Sequence, residues 1–245
     1  MPLHRTERIQ FPGSQGAQLA ARLDRPLGRP RAFALFAHCF TCSKDLAAVS
    51  RIGRALAECG LAVLRFDFTG LGHSEGEFEN TGFSSNVTDV VRAANWLREN
   101  HEAPALLIGH SLGGAAVLAA ARRIPEARAV ATLGAPADPA HVRQLFAQHE
   151  DEIQAEGEAQ VELAGRRFTI RRELLEDLEE QRLEECLASL RKALLVMHSP
   201  RDNVVGIENA SRIFQAAKHP KSFVSLDRAD HLLTRRADAT YAANV

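Results

Sequence analysis

A chain of 245 residues, 45% hydrophobic and 25% charged, suits one large single-core globular domain and excludes a disordered or fibrous protein. A net charge of −1 leaves no electrostatic footprint for a nucleic-acid partner, and the pairs Arg122, Arg123 and Arg171, Arg172 read as solvated helix faces rather than phosphate clamps. No apolar run reaches the roughly eighteen residues of a membrane span, the opening MPLHRTERIQFPG has no apolar core of a signal peptide, and four cysteines are too few for a disulfide framework, so the chain reads as cytoplasmic with no membrane partner.

Short β-rich runs alternate with helical patterns, which predicts an α/β fold: a mostly parallel central sheet covered by helices on both faces. Two extended pieces, around Glu7 to Phe11 and Gln18 to Leu23, precede AFALFAHC, a buried strand starting at Ala32. From Asp45 to Cys59, Leu46, Val49, Ile52 and Leu56 recur at helical spacing, with Gly60 as the stop. LAVLRFDFTG is the next buried strand, and NVTDVVRAANWLRENH puts Val87, Val90, Val91, Ala94 and Leu97 on one helical face. LLIGHSLGGAAVLAAA then runs from strand into helix, and AVATLGAP makes a further strand.

The rhythm breaks at about 137–192, between Ala137 and Lys192. This Glu- and Arg-rich segment predicts a small cap-like insertion over one end of the sheet, within a single domain spanning 1–245. AQVELAGRRFTI alternates around Ala164 and Gly165 like a hairpin between two amphipathic helices. Strands return with ALLVMHSP and KSFVSL, separated by the helix IENASRIFQAAKH. A last helix is expected from near Leu233, with Leu233, Ala237 and Tyr241 as its apolar stripe.

Gly109, Ser111 and Gly113 fall where the strand from Leu106 must turn into a helix. Two readings compete: a tight connection that needs glycine for close approach, and a nucleophile elbow, G-x-S-x-G, that holds a serine hydroxyl clear of the sheet. The second makes a strict demand: an orienting acid and then a base must follow, each on a loop beyond the carboxyl end of a later strand. ALLVMHSP runs into RDNVV and supplies Asp202; KSFVSL runs into DRADHLL and supplies His231. A serine hydroxyl is a weak nucleophile until an imidazole takes its proton, and the imidazole needs a carboxylate to fix its tautomer. The backbone N–H of Leu112, at the start of the helix, and that of Phe40, on the loop after ALFAHC, are the expected oxyanion donors.

Rivals take lesser roles. His110 adjoins the serine and is expected to pack or support; Asp227 and Asp230 read as loop caps, Asp67 as a buried acceptor for the next turn, and His198 as a satisfied core histidine. No pair has metal-ligand spacing worth defending, so neither a metal nor a cofactor is expected.

GHSLGG, SPRDNVV and DHLL, with AHCF where many members carry His-Gly and an apolar residue, resemble the α/β-hydrolase family over nearly the whole chain. HCFTCSKD, VLRFDFTGLGHSEGEF and FSSNV are similar, more closely, to the hydrolase half of bacterial proteins that fuse such a domain to an OsmC-like domain. The resemblance implies a serine esterase with Ser111, Asp202 and His231 as its triad, Phe40 and Leu112 as oxyanion donors, and a small-molecule ester as substrate. Short-chain carboxylic esters are expected because the insertion is brief and polar; amide, thioester or peracid chemistry on the same triad, or a binding module without chemistry, are the alternatives. Monomer or homodimer is expected, either as a standalone relative or as part of a longer parent with an OsmC-like domain. Cys39 stands where the family has glycine. Cys39 and Cys42 form C-x-x-C, read here as two packed thiols in preference to a redox pair.

Overall fold

The computed structural model describes residues 3–163 and 165–245, so Ala164, at the expected hairpin tip, lies outside the described residues. β1 (His4–Pro12) and β2 (Gln18–Pro26) pair antiparallel along their whole length. β3 (Ala32–Ala37), β4 (Leu61–Phe66), β5 (Leu106–His110) and β6 (Ala129–Leu133) are the buried runs read from the sequence. β7 (Glu158–Leu163) and β8 (Arg166–Arg171) form a separate antiparallel hairpin, and β9 (Ala193–His198) and β10 (Lys221–Ser225) return to the main sheet. Among the described residues the main sheet has the order β1-β2-β4-β3-β5-β6-β9-β10, antiparallel at β1, β2 and β4 and parallel from β4 onward.

Both faces of the sheet are apolar because strand side chains alternate. Along β3, Phe33, Leu35 and Ala37 enter one core while Ala34 and Phe36 enter the other. The first core is covered by α2 (Phe83–Asn100) and α3 (Leu112–Ala120), and the second by α1 (Ala47–Glu58) and the last helix, Arg236–Asn244. On α1, Val49 and Ile52 are buried as their spacing predicts, and each such side chain contributes about 1.5–3 kcal/mol on leaving water.

Between β6 and β9 lie two short 3₁₀ turns (Pro139–Leu145 and Ala147–His149), α4 (Glu150–Glu156), the hairpin, α5 (Arg172–Glu180) and α6 (Leu183–Ala188). The hairpin is tied to the main body by aromatic packing: Phe168 of β8 meets Phe78 at 4.8 Å between centroids, and Phe78 meets Phe40 at 5.6 Å. α7 (Glu208–Ala216) connects β9 to β10.

The final helix, α8 (Arg236–Asn244), departs from expectation. It starts three residues after Leu233, whose positive φ of 49° makes it part of a turn. The helical phase therefore shifts: Ala239, Ala242 and Ala243 face the core, Ala237 is exposed and Tyr241 is 50% exposed. Leu233 remains buried, but from the turn rather than from a helical stripe.

Candidate active site

The strand order reverses at β3, whose successor β4 lies on one side and β5 on the other. Loops beyond the carboxyl ends of neighbouring strands open apart at such a point and leave a crevice. Phe40 follows β3, Ser111 follows β5, Asp202 follows β9 and His231 follows β10, so the fold carries all four to the same end of the sheet.

Ser111 sits at φ 55°, ψ −127°, a conformation that costs a non-glycine residue on the order of 1–3 kcal/mol and persists only where its surroundings enforce it. The enforcement is visible. Ser111 N–H donates to Leu133 O of β6 at 2.8 Å, and its own carbonyl accepts from Gly114 N–H at 2.8 Å. Gly109 and Gly113 permit the turn by close approach: a Cβ on Gly109 would stand 2.3 Å from Gly113 O, and one on Gly113 2.2 Å from His38 O. Alanine would gain about 1 kcal/mol in helix propensity at Gly113, far less than such an overlap with backbone costs. Both readings of the glycines are thus satisfied together, since close packing against the β3 loop is what makes the elbow.

His231 Nδ1–H donates to Asp202 Oδ2 at 2.7 Å, with both side chains buried. Asp202 Oδ1 accepts from the N–H groups of Val204 and Val205, each at 2.9 Å. Burial pulls the Asp202 carboxyl upward, but the His231 hydrogen bond and the two amides outweigh it and hold the group below the usual carboxylate range. Gly134, at φ 53°, leaves room for this pair; a Cβ there would lie 3.0 Å from Asp202 Oδ2 and 3.5 Å from His231 Nδ1. Phe40, Ser111 and Leu112 line one solvent-open cavity of about 270 Å³ together with Val142, Leu145 and Val204. Among the described residues no hydrogen bond engages the N–H of Phe40 or of Leu112. A larger groove of about 710 Å³, around Ser84, Arg122 and Arg182, is open, charged and away from these groups.

His110, Asp67 and Asp230 behave as read from the sequence, whereas His198, expected to be a satisfied core histidine, bonds through Nε2 alone and leaves its buried Nδ1 without a partner among the described residues. His110 is buried and donates from Nε2 to His231 O at 2.7 Å, tying the elbow to the loop of the base. His198 Nε2–H donates to Val205 O at 2.8 Å. Asp67 accepts from the backbone N–H of Lys44 at 2.5 Å and of His73 at 2.9 Å, and also from Lys44 Nζ at 2.6 Å. Asp230 caps Thr234 N–H at 2.9 Å. Sequence reasoning missed His141, whose Nε2–H donates to Val204 O at 2.8 Å and so bridges the first 3₁₀ turn to the loop of the acid. Nothing periodic marks a 3₁₀ turn, and a lone histidine carries no pattern. It also missed Lys44, although Lys44 lies within HCFTCSKD.

Cys39 and Cys42 correct the expectation of packed thiols: they are joined in a disulfide, with Cα atoms 5.3 Å apart. The turn closed by Cys42 N–H donating to Cys39 O at 3.2 Å brings them within bonding reach. Cys59 and Cys186 are free.

Burial gives His110 an acid liability. Desolvation, reinforced by the neighbouring His231, pushes it down to about 3 from the ordinary 6.5. Between those values the unfolded chain binds a proton that the folded chain refuses, so stability falls as pH drops from about 6.5 toward 3, by about 1.4 kcal/mol per unit for this group. His38 is lowered in the same direction by burial. Urea midpoints measured across that range are expected to fall toward acid, and His110→Gln, which keeps a donor but cannot titrate, is expected to flatten the slope; an unchanged slope would remove His110 as its source.

A mostly parallel sheet with helices on both faces, crossing order reversed at β3 and a strained strand-to-helix serine at β5, is an α/β-hydrolase fold. The chain belongs to the family described as serine aminopeptidase, S33 (Hydrolase_4), whose model matches residues 28–163. It is similar to the monoglyceride lipase of Rattus norvegicus, 31% identical over 113 residues, and to that of Homo sapiens, 32% identical over 113 residues. Each match covers 45% of this chain and spans 37% of the length of the lipase. Among solved structures, the esterase domain of a Rhodothermus marinus protein is 51% identical with a TM-score of 0.79, covering 98% of this chain and 95% of that one. α/β hydrolase domain-containing protein 10 from mouse, 21% identical with a TM-score of 0.78 over 97% of this chain and 96% of that one, shares the fold.

Proposed function

We infer that the protein is a serine esterase that cleaves small, short-chain carboxylic esters through an acyl-enzyme intermediate. Ser111 is the nucleophile, His231 the base and Asp202 the acid that orients it. The N–H groups of Phe40 and Leu112 receive the oxyanion, with Leu112 aided by the positive end of α3. The observation that carries the reading is the 2.7 Å hydrogen bond from His231 to Asp202, beside a cavity that opens onto Ser111. In the first step Ser111 Oγ attacks the ester carbonyl while His231 Nε2 takes its proton. The resulting imidazolium returns that proton to the departing alkoxide, and water repeats the sequence to release the acid.

The small cavity beside Ser111 supports the short acyl preference. A cavity of about 270 Å³ lies at the lower edge of ordinary ligand sites and suits a few carbons of acyl chain. A series of p-nitrophenyl esters from acetyl to palmitoyl tests this: kcat/KM is expected to peak at the short end. Best turnover on long chains, with little on acetyl or butyryl, would refute the substrate class.

A further inference from the structure

The disulfide encloses the residue that supplies one proposed oxyanion donor. Cys39, buried at 2% exposure, and half-buried Cys42 flank only Phe40 and Thr41. The loop is held at the start of this short ring and beyond its end. His38 Nδ1–H donates to Cys39 O at 2.8 Å on one side, and on the other Asp67 takes both the backbone N–H and the Nζ of Lys44. Between these anchors, among the described residues, no hydrogen bond engages the backbone of Phe40 or Thr41. Thr41 stands at φ 60°, the left-handed region that a β-branched residue rarely enters and keeps only when its surroundings impose it. The S–S bond and the turn hydrogen bond from Cys42 to Cys39 close the chain across Thr41, beside the packing of the Phe40 ring on Phe78.

We propose that the Cys39–Cys42 disulfide positions the backbone N–H of Phe40 for catalysis, so that esterase turnover follows the redox state of this bridge. The inference rests on the reading of Ser111 as nucleophile and Phe40 as donor. Opening the bridge requires a dithiol: its two sulfurs close into their own disulfide, the Cys39–Cys42 bond breaks, and the two hydrogens of the reductant end on Cys39 and Cys42 as thiols. Attack falls on the Cys42 sulfur, the more exposed of the two. Thr41 then relaxes out of the left-handed region, and the Phe40 N–H turns from the position the oxyanion occupies. Substrate binding changes little, because that donor is used chiefly in the transition state.

The test uses the full chain with Cys59→Ser and Cys186→Ser, so that every thiol change belongs to Cys39 and Cys42. Hydrolysis of p-nitrophenyl butyrate is measured before and after treatment with excess dithiothreitol, with alkylation and mass measurement reporting the bridge and circular dichroism reporting the fold. Reduction is expected to lower kcat by about 10- to 100-fold, part of the 10²–10³ that losing a whole donor costs, with KM changed less than about two-fold and recovery on reoxidation. Cys39→Ala with Cys42→Ala is expected to have the low kcat from the start and to ignore dithiothreitol. Unchanged kcat in fully reduced protein, free thiols at both positions in air-oxidised protein, or a loss of kcat matched by a loss of folded signal would each overturn the proposal. Oxidised protein that neither hydrolyses the ester nor reacts with a fluorophosphonate would overturn the esterase reading, and this inference with it.

Discussion

Ser111→Ala is expected to lower kcat on a short-chain ester by about 10⁴- to 10⁶-fold while leaving the fold intact. The methyl group of alanine fits where the serine Cβ already sits, and the bonds that enforce the elbow, Ser111 N–H to Leu133 O and Gly114 N–H to Ser111 O, belong to the backbone. What disappears is the atom that forms the acyl-enzyme. Labelling by a fluorophosphonate should vanish with it, and the residual rate should lose its dependence on His231. A variant that still labels at near the wild-type rate would move the nucleophile elsewhere, and a well-folded wild type that never labels would favour a binding module on this fold.

Asp202→Asn is expected to cost about 10³- to 10⁴-fold in kcat with little change in KM, and the hydrogen-bond pattern explains why the isostere fails. The asparagine carbonyl can keep the place of Oδ1, accepting from the N–H groups of Val204 and Val205. Its amide NH₂ then points at His231 Nδ1, which must accept rather than donate. The imidazole proton moves to Nε2, and the ring can no longer take the proton of Ser111. Steady-state kinetics on one ester, beside a thermal unfolding curve, check the expectation; rates near wild type would assign the acid to another residue.

Much of this arrangement was legible because it depends on chain order. The hydrophobic runs at Ala32, Leu61, Leu106, Ala129 and Ala193 specify buried parallel strands, and in such a sheet the loop after each strand opens at the same end. Once Ser111 is placed there, an acid after β9 and a histidine after β10 are the residues that this topology can bring to it. Legibility fails where the decisive event is a local turn. C-x-x-C is compatible with thiols, a metal site or a bridge, and only the turn between Cys39 and Cys42 selects the last. Leu233 enters a left-handed turn without a glycine or proline to announce it, so the phase of α8 was misread by its starting point. His141, through one hydrogen bond, and Lys44, through two to Asp67, join segments far apart in sequence, which leaves no periodicity to find.

The edge-on and tilted ring contacts from Phe168 through Phe78 to Phe40 couple the insertion to the β3 loop. Insertions at this point of a sheet are ordinarily free to diverge, because they are appended to a scaffold that folds without them. Here the hairpin leans, through two aromatic neighbours, on the residue beside the elbow. A lineage that replaced Phe168 with a small side chain would leave Phe78 loose and Phe40 unsupported, and selection for turnover would register a change made in the insertion. Phe168→Ala is therefore expected to lower turnover through Phe78 and Phe40, although position 168 lies in the insertion; an unchanged kcat would show that the insertion and the β3 loop are independent.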